Sequence, residues 1–143
     1  MKELYLVGFD DTAASRRAVD FAVERAKGTE GTVLLLYVLE WSPYSFLTNE
    51  EIAERKGRRR EELSRAETLV TPAAEKVRTA GVDCETLVRF GNAAELICEI
   101  AIERSADQIL VGRTGDSPFK GRLLGSLVVN LAQAAPVPLT VVP

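Results

Sequence analysis

Val111-Gly112-Arg113-Thr114-Gly115, followed ten residues later by Gly125-Ser126, is the stretch that indicates the fold of this chain. Just before it, residues 108–111 form a short apolar run, which is typical of a buried parallel strand. After it, apolar residues recur at helical spacing, with Ser126 as the predicted N-cap. These residues are Leu127, Val128, Leu131, Ala132 and Ala135. The predicted order is therefore strand, glycine loop and helix start.

A loop of this kind suits a phosphate group. Glycines allow positive φ and a close approach of a ligand to the main chain. The N–H groups at a helix start are unpaired and carry partial positive charge. The spacing Gly-x2-Gly-x9-Gly-Ser differs from both the Walker pattern and the Gly-x-Gly-x2-Gly dinucleotide pattern. A surface loop with turn glycines and a capped helix therefore stays open as the alternative.

The composition excludes several classes of protein. The 143 residues suit one domain, spanning 1–143, and the net charge of −3 gives no reason to expect a nucleic-acid or membrane surface. With no histidine, a Ser-His or Cys-His hydrolase is excluded. Cys84 and Cys98 are too few for a zinc site, so we expect buried structural thiols. The N-terminus lacks a signal-peptide pattern and no segment is long enough to span a membrane, so we expect a cytoplasmic protein.

Strands and helices are predicted to alternate along the rest of the chain. The expected strands are Leu4–Phe9, Val33–Leu39, Asp83–Arg89 as an edge strand, and Leu139–Val142. Trp41–Thr48 is expected to be a loop, whose aromatic residues either pack on the body or stack on a ligand.

The helices have recognisable ends. One of Asp10, Asp11 and Thr12 should cap the first helix, which should end at Gly28. A charged helix should run from 50 to 80, kinked but unbroken at Pro72, with its basic run on a solvated face of mixed charge. Asn92 should cap the third helix, with Glu95 in the capping-box position.

Alternating strands and helices predict a parallel sheet with helices on both faces. Ligands bind such sheets at the carboxyl ends of the strands, where the strand order reverses. If the first and fourth strands flank that point, Asp10 and Gly112 meet at one crevice. The carboxylate would then serve sugar hydroxyls, and the glycine loop would serve phosphates.

These residues resemble the universal stress protein family along the whole chain. The resemblance rests on Asp10 at the end of the first strand, Ser15 in the first helix and the helix start at Gly91. It also rests on residues 106–112 and on the full glycine pattern from Gly112 to Ser126, which marks ATP-binding members.

The resemblance implies a single-domain, three-layer α/β sandwich with a five-stranded parallel sheet of order 3-2-1-4-5. This is a Rossmann-like fold similar to that of the adenine nucleotide alpha hydrolases. It implies a homodimer along the last strand and bound ATP, with Mg²⁺, ADP or AMP as further possibilities. The implied nucleotide-binding residues are Gly8, Phe9 and Val38 for adenine, Asp10 for ribose, and Gly112, Gly115, Gly125, Ser126 and Leu127 for the phosphates. Val111 and Arg113 complete the expected site, and Arg113 in the glycine loop points either to the nucleotide or to solvent.

Two features depart from the family pattern or cannot be mapped onto it. Many members have glycine where this chain has Asp11, whose carboxylate would either weaken polyphosphate binding or help to hold Mg²⁺. Lys120 and Arg122 lie in the glycine loop at positions without a clear counterpart.

We expect an ATP-binding regulatory protein of the stress response with an unknown protein partner and little or no turnover. The alternatives are a nucleotide-free dimeric scaffold and a slow ATPase or autophosphorylating protein, with Ser126 as acceptor. A phospho-acceptor receiver domain is excluded, because the third strand ends in Arg89-Phe90-Gly91 and no lysine follows the last strand.

Overall fold

The computed structural model describes residues 2–40, 49–113 and 125–143. The predictions for the Trp41–Thr48 loop, Gly115, Lys120 and Arg122 lie outside these residues. The strands are β1 Leu4–Gly8, β2 Thr32–Leu39, β3 Asp83–Phe90, β4 Gln108–Gly112 and β5 Leu139–Val142. The helices are α1 Ala13–Thr29, α2 Asn49–Thr79, α3 Ala93–Glu103 and α4 Ser126–Ala134.

The strands form one all-parallel sheet in the order β3-β2-β1-β4-β5, as predicted. Gly8 at the end of β1 lies beside Leu36 of β2 and Val111 of β4. The chain leaves β1 in one direction to reach β2 and β3, and it later returns on the other side to form β4 and β5. The strand order therefore reverses between β1 and β4, where parallel sheets bind ligands.

Helices cover both faces of the sheet. On one face, α1 and α2 bury residues such as Val19, Val23 and Val77 against β1 and β2. On the other face, α3 and α4 bury Ile97 and Leu131 among others. Because both faces are covered, the central strands read as continuous apolar runs. No helix in the described part of the chain is both long and apolar enough to cross a membrane.

The first helix is capped as predicted at its start but not at its end. Thr12 is the N-cap, and its hydroxyl accepts a hydrogen bond from the Ser15 N–H at 3.2 Å. The prediction that Gly28 ends the helix is wrong, because the helix continues to Thr29 and Glu30 takes the left-handed conformation. The glycine that the turn requires is Gly31, where a Cβ would lie 2.8 Å from the Glu3 carbonyl oxygen.

The other boundaries follow the sequence closely. The second helix runs unbroken through Pro72, and Gly81 follows it with a φ of +88°. Asn92 caps α3, with its side-chain oxygen accepting from the Glu95 N–H at 3.1 Å. The third strand is an edge of the sheet, as its weak alternation predicted.

The two cysteines are free thiols in different parts of the fold. Burial is the main reason that the pKa of the Cys84 thiol rises to about 11, with Arg78 opposing and Glu85 adding to the rise. The expectation of two buried thiols is wrong for Cys98, which is only partly buried because its helix leaves it at the edge of the packed face, although this partial burial still raises its pKa. Both thiols are thus protonated at neutral pH, which agrees with a structural role.

Candidate functional site

A cavity of about 420 Å³ opens at the carboxyl ends of β1 and β4, at the point where the strand order reverses. Its walls come from β1, β2 and β4 and from the starts of α1, α3 and α4. Its volume lies in the usual range for small-molecule and cofactor sites. We call this cavity the nucleotide crevice below, because its lining matches the predicted set.

Every predicted site residue that the structure describes lines the nucleotide crevice. These are Gly8, Phe9, Asp10, Val38, Val111, Gly112, Arg113, Gly125, Ser126 and Leu127. They come from four separate segments of the chain, so their convergence follows from the sheet order rather than from proximity in sequence.

Sequence reasoning missed seven residues of the lining: Thr12, Ser15, Leu36, Glu40, Ala93, Ile97 and Val128. Two of them had a usable signal. Leu36 and Glu40 stand two residues on either side of Val38, and residues at this spacing share one face of a strand. Ala93 and Ile97 of α3 had no such signal in the sequence, since only the packing of that helix brings them to the crevice.

The turn after β1 holds Asp10 in a defined position. One carboxylate oxygen of Asp10 accepts hydrogen bonds from the Thr12 N–H at 3.1 Å and from the Thr12 hydroxyl at 2.5 Å. The Asp10 N–H donates to the buried hydroxyl of Ser15 at 3.4 Å. The second carboxylate oxygen has no donor among the described residues, which leaves it available to a ligand.

The next residue, Asp11, points elsewhere. It has a φ of +62°, and its side chain pairs with Arg16 at 3.1 Å. It lines a separate cavity between α1 and α2 and not the nucleotide crevice. The sequence analysis considered two roles for this carboxylate, repelling a polyphosphate and holding Mg²⁺. Both required a place in the nucleotide crevice, which Asp11 does not line. The left-handed backbone also explains why glycine suits this position.

The described glycines of the loop do not adopt the positive φ that the sequence analysis allowed them. Among the described glycines only Gly81 and Gly91 have positive φ, so Gly112 and Gly125 do not use that freedom. A Cβ on Gly112 would lie 2.7 Å from the carbonyl carbon of Ala14, so this glycine permits close packing of β4 on α1. A Cβ on Gly125 would meet no atom of the described structure within 4 Å.

The start of α4 corrects one cap assignment. Gly125 is the N-cap, with φ −59° and ψ 156°, and Ser126 is the first helical residue, so the prediction that Ser126 caps the helix is wrong. The first helical bond joins the Val129 N–H to the Gly125 carbonyl at 3.2 Å. The preceding N–H groups, of residues 126–128, have no acceptor within the described segments, as expected for a helix start.

The described lining carries few charges. Its carboxylates are Asp10 and Glu40, and its cation is Arg113. Most of the remaining wall is apolar, including Leu36, Val38 and Ile97. The crevice can thus hold an apolar ring beside a hydroxyl-binding carboxylate, with an anion at the start of α4.

A family model described as "Universal stress protein family" matches residues 5–143. The chain belongs to the universal stress protein family. It is 30% identical to universal stress protein YxiE of Bacillus subtilis (strain 168) over 150 residues, covering 96% of each chain.

Solved structures of this family share the fold. The chain superposes on universal stress protein UspA from Lactobacillus plantarum with a TM-score of 0.87 at 22% identity, covering 99% of this chain and 97% of that one. A universal stress protein crystallised with cAMP gives a TM-score of 0.71 at 25% identity, covering 99% and 96%. Two other similar structures are complexes with dAMP, from Archaeoglobus fulgidus, and with AMP, from Arabidopsis thaliana.

Proposed function

We propose that this universal stress protein binds an adenine nucleotide, ATP foremost, in the nucleotide crevice and acts as a regulatory protein. The observation that carries the proposal is the convergence of all ten described site residues on one cavity of suitable volume. Complexes of related proteins with cAMP, dAMP and AMP support an adenine nucleotide as the class of ligand.

The lining suggests how the nucleotide would lie. The apolar wall around Val38 would take adenine, and the unbonded oxygen of Asp10 would accept a ribose hydroxyl. The phosphates would lie at the start of α4, where three N–H groups are unpaired within the described residues, with Arg113 nearby in the lining. Gly125 leaves room for this approach, since a Cβ built there would meet no atom of the described residues within 4 Å.

Little or no turnover is the first expectation for the bound nucleotide. Phosphoryl transfer needs a group that orients the attacking water or hydroxyl. Asp11 lies outside the crevice, and one oxygen of Asp10 is already engaged by Thr12. For slow hydrolysis, Glu40 is the carboxylate that would orient the attacking water, because it lines the crevice and is exposed.

A homodimer through β5 is part of the proposal. The fifth strand is an edge of the sheet, and its four residues carry no charge. An uncharged edge pairs readily with another strand unless something covers it. A two-fold axis beside β5 would cover this edge on both copies.

The test begins with the nucleotide content of freshly purified, denatured protein, followed by calorimetric titration with ATP, ADP, AMP and cAMP. We expect binding of adenine nucleotides, strongest for ATP, and weakening in Asp10→Ala. Absence of binding by all four would favour the nucleotide-free scaffold. Phosphate release that disappears in Glu40→Gln while ATP still binds would establish the slow hydrolase instead.

A further inference from the structure

A second cavity, of about 480 Å³, lies between α1 and α2 on the opposite face of the sheet from α3 and α4. We call it the interhelix cavity. Val19 and Val23 of α1 and Leu69, Ala73 and Val77 of α2 contribute to its mainly apolar lining. Its volume is that of a small-molecule site, and charged side chains stand beside the apolar part of its lining.

The interhelix cavity is separate from the nucleotide crevice. Phe9 contributes to both linings, and its ring belongs to the cluster on the α1/α2 face, edge-on to Tyr37. The two carboxylates in the turn after β1 also line different cavities: Asp10 lines the nucleotide crevice and Asp11 lines the interhelix cavity. A ligand in one cavity would therefore not occupy the other.

The charged groups of this cavity indicate which ligand it would accept. Two pairs are already formed, Asp11 with Arg16 at 3.1 Å and Glu24 with Lys27 at 3.5 Å. The remaining charged lining residues are Asp20 on α1 and Lys76 on α2. Neither makes an ion pair or hydrogen bond within the part of the chain that the structure describes. One wall thus offers an unpaired carboxylate and the other an unpaired ammonium.

We propose that the interhelix cavity binds a small zwitterion with an apolar body, of the α-amino-acid class. The ammonium group of the ligand would pair with Asp20, and its carboxylate would pair with Lys76. Its side chain would lie against the apolar lining residues that stay at least partly exposed, Leu69, Pro72 and Ala73. Both residues are exposed, so a ligand with a single charge would pair with one of them and leave the other to water, whereas a zwitterion would pair with both.

The test uses three probes with similar carbon skeletons and different charges, added to the nucleotide-free protein. These are L-leucine, 3-methylbutylamine and 4-methylpentanoate, followed by amide chemical shifts in NMR titrations. We expect leucine to shift amides of α1 and α2 around the cavity and to bind more tightly than either singly charged probe. Because no nucleotide is present, the result is independent of the proposed function of the crevice.

Matched variants locate the binding. Asp20→Asn and Lys76→Gln should each weaken leucine binding about fivefold, the effect of losing one exposed ion pair. Arg65→Gln removes a charge from α2 outside the cavity lining and should bind leucine like the unmodified protein. Ala73→Leu should weaken leucine binding by occupying part of the cavity, with circular dichroism as the check on folding.

Three outcomes would overturn the proposal. They are the absence of leucine-induced shifts around the cavity, equal binding of 4-methylpentanoate or 3-methylbutylamine, and leucine affinity unchanged by both charge variants.

Discussion

Gly112 at the end of β4 lies against the main chain of Ala14, and a Cβ built on Gly112 would lie 2.7 Å from both the carbonyl carbon and the Cβ of Ala14. Backbone atoms at the start of a helix cannot move aside as a flexible side chain can. Gly112 therefore has a packing role of its own, whatever ligand lies beside it. Gly125, in the same motif, has open space where its Cβ would be.

This contrast predicts opposite behaviour for two glycine variants. Gly125→Val should fold like the unmodified protein but lose nucleotide binding, because the valine side chain would occupy the approach to the start of α4. The unmodified protein should gain about 2.7 kcal/mol of stability at ATP concentrations near one hundred times Kd, and Gly125→Val almost none. Urea unfolding with and without ATP measures both values.

The companion variant Gly112→Ala should be destabilised by about 1–3 kcal/mol without any ligand, since it overpacks the contact with Ala14.

AMP should stabilise the unmodified protein less than ATP, because it reaches fewer of the N–H groups at α4. If Gly125→Val responds to ATP like the unmodified protein, phosphate binding at this loop is wrong.

Asp11 provides a test of backbone strain in the turn that positions Asp10. Asp11→Ala keeps a Cβ at a φ of +62° and loses the pair with Arg16. Asp11→Gly loses the same exposed pair but removes the cost of the left-handed conformation. We expect the glycine variant to be more stable than the alanine variant by about 1 kcal/mol in chemical denaturation. Equal stabilities would show that this turn is not strained.

The Cys84 thiol predicts a pH dependence of stability. Burial raises its pKa from about 9 in the unfolded chain to about 11 in the folded protein. The unfolded state therefore loses this proton first as the pH rises. The stabilisation is complete below pH 9, and it is lost as the pH rises through 11.

Urea unfolding at several values between pH 8 and 11 measures this effect. The Cys84→Ala variant should be less stable at pH 8, because it leaves a small cavity in the core. The difference between the two proteins should then shrink toward pH 11, since only the unmodified protein carries the thiol. A constant difference across this range would contradict a strongly raised thiol pKa.

The fifth strand provides a direct test of dimerisation. The carbonyl oxygen of Pro138 accepts a hydrogen bond from the Ile109 N–H of β4 at 2.9 Å, and that of Val142 accepts one at 2.7 Å from the Arg113 N–H, just after β4. Because main-chain groups alternate sides along a strand, those of Leu139 and Val141 point to the open edge. Val141→Pro removes an edge N–H and should shift a dimer to monomer in light scattering at micromolar concentration.

Val141→Thr is the matched control, because it keeps both the N–H and the branched side chain, and it should remain dimeric. A monomeric unmodified protein, or a Val141→Pro variant that stays dimeric, would rule out association along this edge.

The local elements and most of the site could be predicted from the sequence. Apolar runs identified β1, β2 and β4 because strands covered on both faces need apolar residues throughout. Helical spacing predicted that α2 continues unbroken through Pro72, and turn chemistry identified the cap at Asn92. For the first helix it left three candidates open, Asp10, Asp11 and Thr12, of which the structure selects Thr12. These signals are local, so neighbouring residues in the chain suffice to reveal them. The sheet order came from the family resemblance, as did the full set of eleven site positions, of which the structure describes ten.

Only the tertiary structure decided the features that depend on atoms brought together from distant segments. Propensity favours serine as a cap, but Gly125 is the N-cap and Ser126 is the first helical residue. The acidic pair after β1 looks like one feature in sequence, yet the left-handed backbone of Asp11 sends its carboxylate to Arg16 and away from the crevice. The need for glycine at position 112 arises from Ala14, about a hundred residues earlier in the chain. A contact of this kind is set by how a strand and a helix pack, and no local pattern encodes it.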